Sequence, residues 1–409
     1  MTEHTGFPRP SKWGSLAWLF VSQFLAMSLW FSASSVVPQL TAEWGLSGSG
    51  QAWLTLSVQA GFVAGAFSSA LLNVADRVPL PRLLALSALG GAACNAAIPL
   101  VDAGLPAALV LRFLTGFALA GVYPPGMKLV ATWCREDRGL GIGILVGAIT
   151  FGSAAPHFVN AVSADGMPPW RAALLATSLM AIAGATCAGL FVRPGPHHSR
   201  SAPFAWRFAL RTLAHRPTRL ANYGYLGHMW ELYAMWSWVP IFLIASHEAA
   251  GGDGRTARLA GFASIAAGAI GSLIAGILAD RIGRTLVAGG SLLISGVCCL
   301  TAGWFFGSPA ALSLVCIVWG FAVVADSAQF SAAVSELTDP RYVGTALTLQ
   351  TCLGFLLTMP AIWIVPPLAA RWGWDRVFVL LVPGPIFGII SMMRLRAHPE
   401  ADLMASGHR

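Results

Sequence analysis

The chain of 409 residues is 56% hydrophobic and only 10% charged, where soluble domains carry about 25% charged residues. That much apolar surface cannot be hidden in a water-soluble core, which excludes a soluble enzyme or a soluble binding module. The net charge of +8 invites a nucleic-acid reading, and the placement of that charge in short polar connections between long apolar runs refutes it.

A membrane span needs about 20 apolar residues. Twelve runs qualify, near 15–40, 51–72, 82–101, 105–130, 140–162, 171–192, 219–246, 257–279, 285–306, 309–334, 342–367 and 375–395. The expected fold class is therefore all-α and polytopic. The first run is too long for a signal peptide and no small-residue cleavage site follows it, so no cleaved leader is expected. With the N-terminus inside, 19 of the 25 Lys and Arg residues fall in cytoplasmic segments. Five fall in outer loops (Arg171, Arg255, Arg258, Arg371 and Arg376), and Arg112 alone lies in a span. This asymmetry follows the positive-inside rule and predicts cytoplasmic termini in a bacterial plasma (inner) membrane. The basic segments there would meet anionic lipid. The seven cysteines lie in spans or, for Cys134, in a cytoplasmic loop, so no disulfide is expected.

In chain order, the first span (VSQFLAMSLWFSASS) offers Gln23, Ser28 and Trp30 as cavity-lining candidates. The fourth, LRFLTGFALAGVYPPGMKL, places Arg112 several residues inside the apolar run, with Gly116, Ala120 and Gly121 permitting close helix contact. An arginine at that depth is costly and marks a functional candidate, unless it snorkels to the outer surface. Tyr123–Pro124–Pro125 then interrupts the helix, and freed carbonyls can line a cavity there. The fifth span is punctuated by Gly141, Gly143, Gly147, Gly152 and Pro156, and its His157 and Asn160 face either the cavity or the packing.

Residues 193–218 form the one long polar connection, rich in proline and arginine, with a surface helix expected near Phe204–Leu213. Its His197–His198 pair reads as solvated rather than metal-binding. Beyond it, the seventh span (YGYLGHMWELYAMWSWVPIFL) holds the densest polar cluster. His228, Glu231, Met235 and Trp238 share one helical face. Desolvation disfavours a charged carboxylate, and a group poised between charge states is what proton coupling requires. Trp230, Tyr233, Trp236 and Trp238 supply aromatic surface for a ligand, for packing, or for an outer aromatic belt. In the tenth span Asp326 and Gln329 share a face. Asp326 is a second proton site, a cation ligand, or a hydrogen-bond partner of Gln350.

The chain divides into 1–192, the basic linker 193–218, and 219–409, with six spans on each side, and the halves repeat. A shift of 204 residues carries Asp76–Arg77 onto Asp280–Arg281, and one of 203 carries Arg138 and Gly141 onto Arg341 and Gly344. The turn Gly276–Arg284 (GILADRIGR) resembles the loop signature of the major facilitator superfamily, matching at Gly276, Leu278, Asp280, Arg281, Gly283 and Arg284. Its first copy, NVADRVPLPR, keeps Asp76 and Arg77 but has Leu72, Pro79 and Leu80 at the glycine, glycine and arginine positions. RFLTG resembles the superfamily's fourth-span motif without its glutamine. The fifth span lacks the Gly-Pro and Gly-Gly pairs of drug/proton antiporters. The run from GVYPPGMKLVATW through REDRGLGIGIL is similar to branches that move small organic or inorganic anions.

The resemblance implies two six-helix bundles working by alternating access about a midplane site. In that reading Arg112 meets an anionic group. Glu231, with His228 or Asp326, couples protons. Acids and bases around Arg135–Arg138 and Glu336–Arg341 latch one side. A proton-driven exporter of drugs or metabolites is the competing reading. A polytopic enzyme or sensor is disfavoured, since no metal-ligand set, nucleophile elbow or phosphate loop is present. The expected partners are a small-molecule solute, protons and membrane lipid, with no nucleic acid, no cofactor and a monomeric chain.

Overall fold

In a computed structural model of the chain, residues 11–101, 104–134, 137–162, 169–197 and 204–409 are described. Arg135, Glu136 and His198 lie outside the described residues. Before the linker stand α1 (Lys12–Met27), α2 (Val37–Trp44), α3 (Gly48–Leu71), the short α4 (Val74–Arg77), α5 (Leu80–Val101), α6 (Gly104–Leu119), α7 (Tyr123–Trp133), α8 (Arg138–Val162) and α9 (Trp170–Phe191). The linker carries α10 (Trp206–Ala214), close to the expected surface helix, and its Phe208 stacks on Tyr342 at 4.1 Å. After it come α11 (Arg216–Ala249), α12 (Gly254–Ile282), α13 (Arg284–Thr301), α14 (Pro309–Ala325), α15 (Ser327–Glu336), α16 (Val343–Trp372), α17 (Trp374–Val377) and α18 (Pro383–Arg396). No strand occurs among the described residues.

Ten helical stretches are long and apolar enough to cross a membrane. They coincide with ten of the twelve expected runs. The two remaining runs are helical but depart for identifiable reasons. The seventh is α11, whose 34 residues span about 50 Å at 1.5 Å per residue, and its polar cluster lowers the hydropathy. The first is divided, because α1 stops at Met27 and residues 28–33 are turns. Serine side chains bond the local backbone there, Ser28 Oγ to Leu25 O at 2.7 Å and Ser32 Oγ to Leu29 O at 3.0 Å, a competition that loosens helices.

The fourth run also breaks, between α6 and α7, where Pro124 and Pro125 occupy the opening turn of α7. Proline lacks an N–H, so the preceding turn is left with free carbonyls. The tenth run breaks at Asp326, which ends α14 and precedes α15.

Two seams join helices from before and after the linker. One runs α8 along α12, the other α3 along α16. The first depends on glycine. A methyl group added at Gly276 would lie 2.6 Å from the carbonyl oxygen of Gly139, and one at Gly143 would lie 2.7 Å from that of Ser272. Backbones packed so closely leave no room for a side chain. Lys12 pairs with Asp137 at 2.5 Å and the Arg409 carbonyl accepts from Thr285 Oγ1 at 2.9 Å. Lys12 and Arg409 therefore both sit at the end of the bundle that carries the 276–284 turn.

Candidate functional site

Between the two seams lies a cavity of about 30 Å³, room for a water rather than an organic solute. Met27 and Trp30 reach it from the end of α1 and the turn beyond, Tyr123 from α7, and Val146, Ile149 and Thr150 from α8. From after the linker come Tyr225, Met229, Leu232, Tyr233 and Trp236 of α11, Val324 and Ser327 at the α14–α15 break, and Phe355 of α16. No charged side chain lines it among the described residues.

Its walls are aromatic and interlocked across the two halves of the chain. Trp30 meets Phe355 at 5.4 Å and Tyr233 at 5.8 Å between ring centroids. Phe62 of α3 lies 4.6 Å from Phe355, and Tyr233 lies 5.3 Å from Trp236. Trp30 and Trp236 are buried, and the indole N–H of each lacks an acceptor among the described residues. A buried donor left unmade costs about 1–3 kcal/mol. Both indoles belong to residues of the cavity wall.

Of the expected site residues, Trp30, Tyr123 and Trp236 line this cavity. Arg112 does not. Its guanidinium is fully buried and directed at the turn after α1, donating to Leu29 O at 2.8 Å, Ser32 Oγ at 3.0 Å, Asn95 Oδ1 at 3.3 Å, Leu54 O at 3.4 Å and the Trp30 carbonyl. The carbonyls freed by the break consume the arginine's donors, so it holds the turn rather than facing a solute. Gln23 plays the reciprocal part, donating to Val122 O at 2.8 Å in the α6–α7 break.

The polar face of α11 likewise points away from the cavity, into the helices that follow the linker. Glu231 accepts from Trp319 Nε1 at 2.5 Å, Ser295 Oγ at 3.0 Å and Cys299 Sγ at 3.1 Å. His228 Nδ1 approaches Asp326 Oδ1 to 2.8 Å without the alignment of a hydrogen bond. Gln350, one of the alternatives considered for Asp326, accepts from Ser331 Oγ at 3.1 Å. Trp238 donates to Ile362 O at 3.0 Å and Trp230 to Leu380 O at 3.2 Å. On α8, His157 is buried two turns beyond Thr150 with Nε2 unpartnered among the described residues. Asn160 there donates to Ser35 O at 2.5 Å. Neither lines the cavity.

Sequence reasoning missed Tyr225, Met229, Thr150, Ser327 and Phe355. A signal existed for the α11 members, since Tyr225, Met229, Tyr233 and Trp236 recur at one-turn intervals along one face. It was outweighed by the more conspicuous charged face.

At the end carrying the termini, Asp280 of α12 binds across the seam to the start of α8. Its carboxylate accepts from the backbone N–H of Gly139 and of Leu140, each at 3.2 Å, where the helix dipole favours an anion. Arg284 backs it at 2.8 Å and reaches Glu336 at 2.9 Å and Gln329 Oε1 at 3.4 Å. Gln329 thus belongs to this turn, not to the cavity. Asp76 pairs with Lys128 at 2.5 Å. Arg77 and Arg281 are exposed, and Arg341 pairs locally with Asp339 at 2.7 Å. Arg138 opens α8, with its Nε unpartnered among the described residues. Gly283 takes a φ of 103°, a conformation open to glycine, and lets the turn pass from α12 to α13.

A family model described as the Major Facilitator Superfamily matches residues 19–252, more than half the chain. The chain belongs to the major facilitator superfamily. The 276–284 turn lies beyond the matched stretch, so the family is shown independently of the motif that first suggests it. Two curated relatives are similar. One, from Bacillus subtilis (strain 168), is named as a candidate niacin/nicotinamide transporter, NiaP, at 26% identity over 56% of this chain and 56% of its own length. The other, from Cupriavidus necator, is named as a candidate sulfoacetate transporter, SauU, at 25% identity over 46% of this chain and 48% of its own. The chain spans about half the length of the curated relatives it matches. With ten helices of membrane-spanning length and this family match, it is a multi-pass membrane protein.

Proposed function

We propose that the protein is a transporter that moves a small, flat organic acid or its amide by alternating access. The observation that carries the reading is the cavity wall, aromatic and, among the described residues, free of charge and holding two unpartnered indole N–H donors. Such a wall stacks on a conjugated ring and donates to its carboxyl or amide oxygen. The names of the two relatives contain small organic acids, and niacin and nicotinamide are planar ring compounds. Sulfoacetate, without a ring and with two acidic groups, suits this wall less well. At about 30 Å³ the cavity admits no such solute until the aromatic cluster parts, which is the motion alternating access supplies.

The two halves, 1–192 and 219–409, are the bodies that rock, about the α8–α12 and α3–α16 seams. Proton coupling falls to Asp326 and His228. They meet at the α14–α15 break, and Asp326 is next to Ser327 on the cavity wall. Ionisable groups at such depth are costly and default to function. The excess of Lys and Arg in the segments at the terminal end supports an inner-membrane orientation with both ends cytoplasmic, and a single chain forms the complete cavity.

The test is counterflow in liposomes with nicotinate, nicotinamide, benzoate, acetate, sulfoacetate and a lipophilic phosphonium cation. Exchange of the ring acids or the amide is expected. Exchange confined to sulfoacetate and acetate would sink the aromatic reading. The same rings can hold a cation over their faces, so exchange of the phosphonium alone would favour an exporter of lipophilic cations.

A further inference from the structure

A second cavity, of about 620 Å³, opens beside the degenerate copy of the signature turn, between α4, the start of α5 and the end of α9. We propose that it binds the phosphate group of an anionic phospholipid, an assignment independent of the transported solute.

Three arginines line it: Arg77, Arg82 and Arg193. The one acid on the wall, Asp76, has its charge met by Lys128 at 2.5 Å. Among the described residues no other acid lines the cleft, so its arginines outnumber its acids. Arg77 and Arg82 are exposed. Arg193 covers the carbonyl end of α9, donating to Leu190 O at 2.7 Å and Val192 O at 3.0 Å, and keeps other N–H groups of its fork for an outside acceptor. Arg82 stands in the first turn of α5, a helix of 22 residues, whose positive end adds to the field. Guanidinium groups match phosphate oxygens in pairs.

The surroundings select a lipid over a free ion. Leu71 and Leu72 precede the α4 turn with 46% and 57% exposure, Leu86 follows Arg82 by one turn at 65%, and Leu190 and Phe191 precede Arg193 at 57% and 46%. On three separate segments, exposed apolar surface gives way to arginine within a helical turn. That is the profile of a hydrocarbon-to-headgroup boundary, with acyl chains beside the leucines and phosphate among the arginines. The volume exceeds what a bare phosphate needs and accepts a headgroup.

The measurement is lipid binding to the purified full-length protein in detergent, followed by thermal unfolding and native mass spectrometry. The probes are phosphatidylglycerol, phosphatidylcholine and inorganic phosphate. Phosphatidylglycerol is expected to raise the unfolding temperature above phosphatidylcholine, with inorganic phosphate inert. In the Arg77→Gln/Arg82→Gln protein, affinity for phosphatidylglycerol should fall about 30-fold, as for two surface arginines. An Arg371→Gln/Arg376→Gln protein, altered at the opposite end, should keep it. Both altered arginines of the cleft are exposed, so folding is not at stake, and wild-type protein gives a second check because the gain should shrink in high salt. Undiminished binding by the double variant, or a salt-insensitive gain, overturns the site. An equal gain from inorganic phosphate overturns the lipid assignment.

Discussion

Arg112 holds Trp30 by its backbone. The guanidinium donates to the Trp30 carbonyl and, at 2.8 Å, to that of Leu29, at the point where α1 has stopped and the chain turns toward the cavity. In the proposed reading, the arginine acts on the solute through the placement of an indole ring. Replacing it with alanine strands buried carbonyls, at about 1–3 kcal/mol each. We expect Arg112→Ala to lower the unfolding temperature and to weaken neutral amides and anionic acids alike. Arg112→Lys should recover little, because an ammonium cannot reproduce the planar fork. Selective loss of anions in a thermal-shift series, with amides spared, would restore the arginine as a direct anion ligand.

The two unpartnered indoles lead to a narrower expectation. Trp30→Phe and Trp236→Phe keep a ring on the cavity wall and delete only the N–H. A hydrogen bond to a bound acceptor is worth about 0.5–1.5 kcal/mol, so each change should weaken nicotinate or nicotinamide roughly 3- to 10-fold. Binding of a ring without an acceptor should hardly change. Calorimetric titration of the two variants decides it, and equal loss for both kinds of ring would mean the indoles serve packing alone.

The span pattern was legible because apolar runs of span length admit few alternatives, and the break in the fourth span followed from its prolines, whereas the break in the first, read as one run, comes from serines that bond the local backbone. The cavity wall was harder. On α11 an ionisable face and an aromatic face compete, and burial cost argues for function on the first while the cavity is lined by the second. Glu231 and His228 point into the packing of their own half, a fact set by the α13 and α14 side chains that meet them, far off in sequence. The repeat held an unused clue. Trp30 corresponds to Tyr233 at the 203-residue shift and Tyr123 to Ser327 at 204, and all four line the cavity. Gln23 and Val122 likewise map close to His228 and Asp326, so a polar side chain approaches the helix break in each half.

That correspondence separates two acids which look alike in the sequence. Asp326 sits at a break beside the cavity, whereas Glu231 is enclosed by three donors, from Trp319, Ser295 and Cys299. Asp326→Asn should abolish uptake driven by a pH gradient and leave counterflow intact. Glu231→Gln sets an amide against a donor, costing about 1–3 kcal/mol, and should lower the unfolding temperature without uncoupling. Loss of counterflow in Asp326→Asn to the same extent as driven uptake would remove the coupling assignment.

The Asp280 contact makes the terminal end of the α8–α12 seam separable by one charge. Asp280→Asn keeps an acceptor for one α8 amide but loses the charge that meets the helix dipole and Arg284. Cys134, between α7 and α8, reports on this place. It is buried at 1% exposure, and burial, with Asp137 adding to it, pushes its thiol up to about 11. The reactive species is the thiolate, scarce at pH 8 while the pKa stays so high, so alkylation of the wild type should be slow and should rise with pH through 9 and 10. If the halves part more often in Asp280→Asn, solvent reaches the thiol, its pKa falls back toward the ordinary value, and both access and thiolate fraction grow. We expect alkylation at pH 8, followed at Cys134 by peptide mass mapping, to accelerate by at least about tenfold. An unchanged rate, with unfolding temperature and counterflow also unchanged, would show that the glycine seam closes this end without help from Asp280.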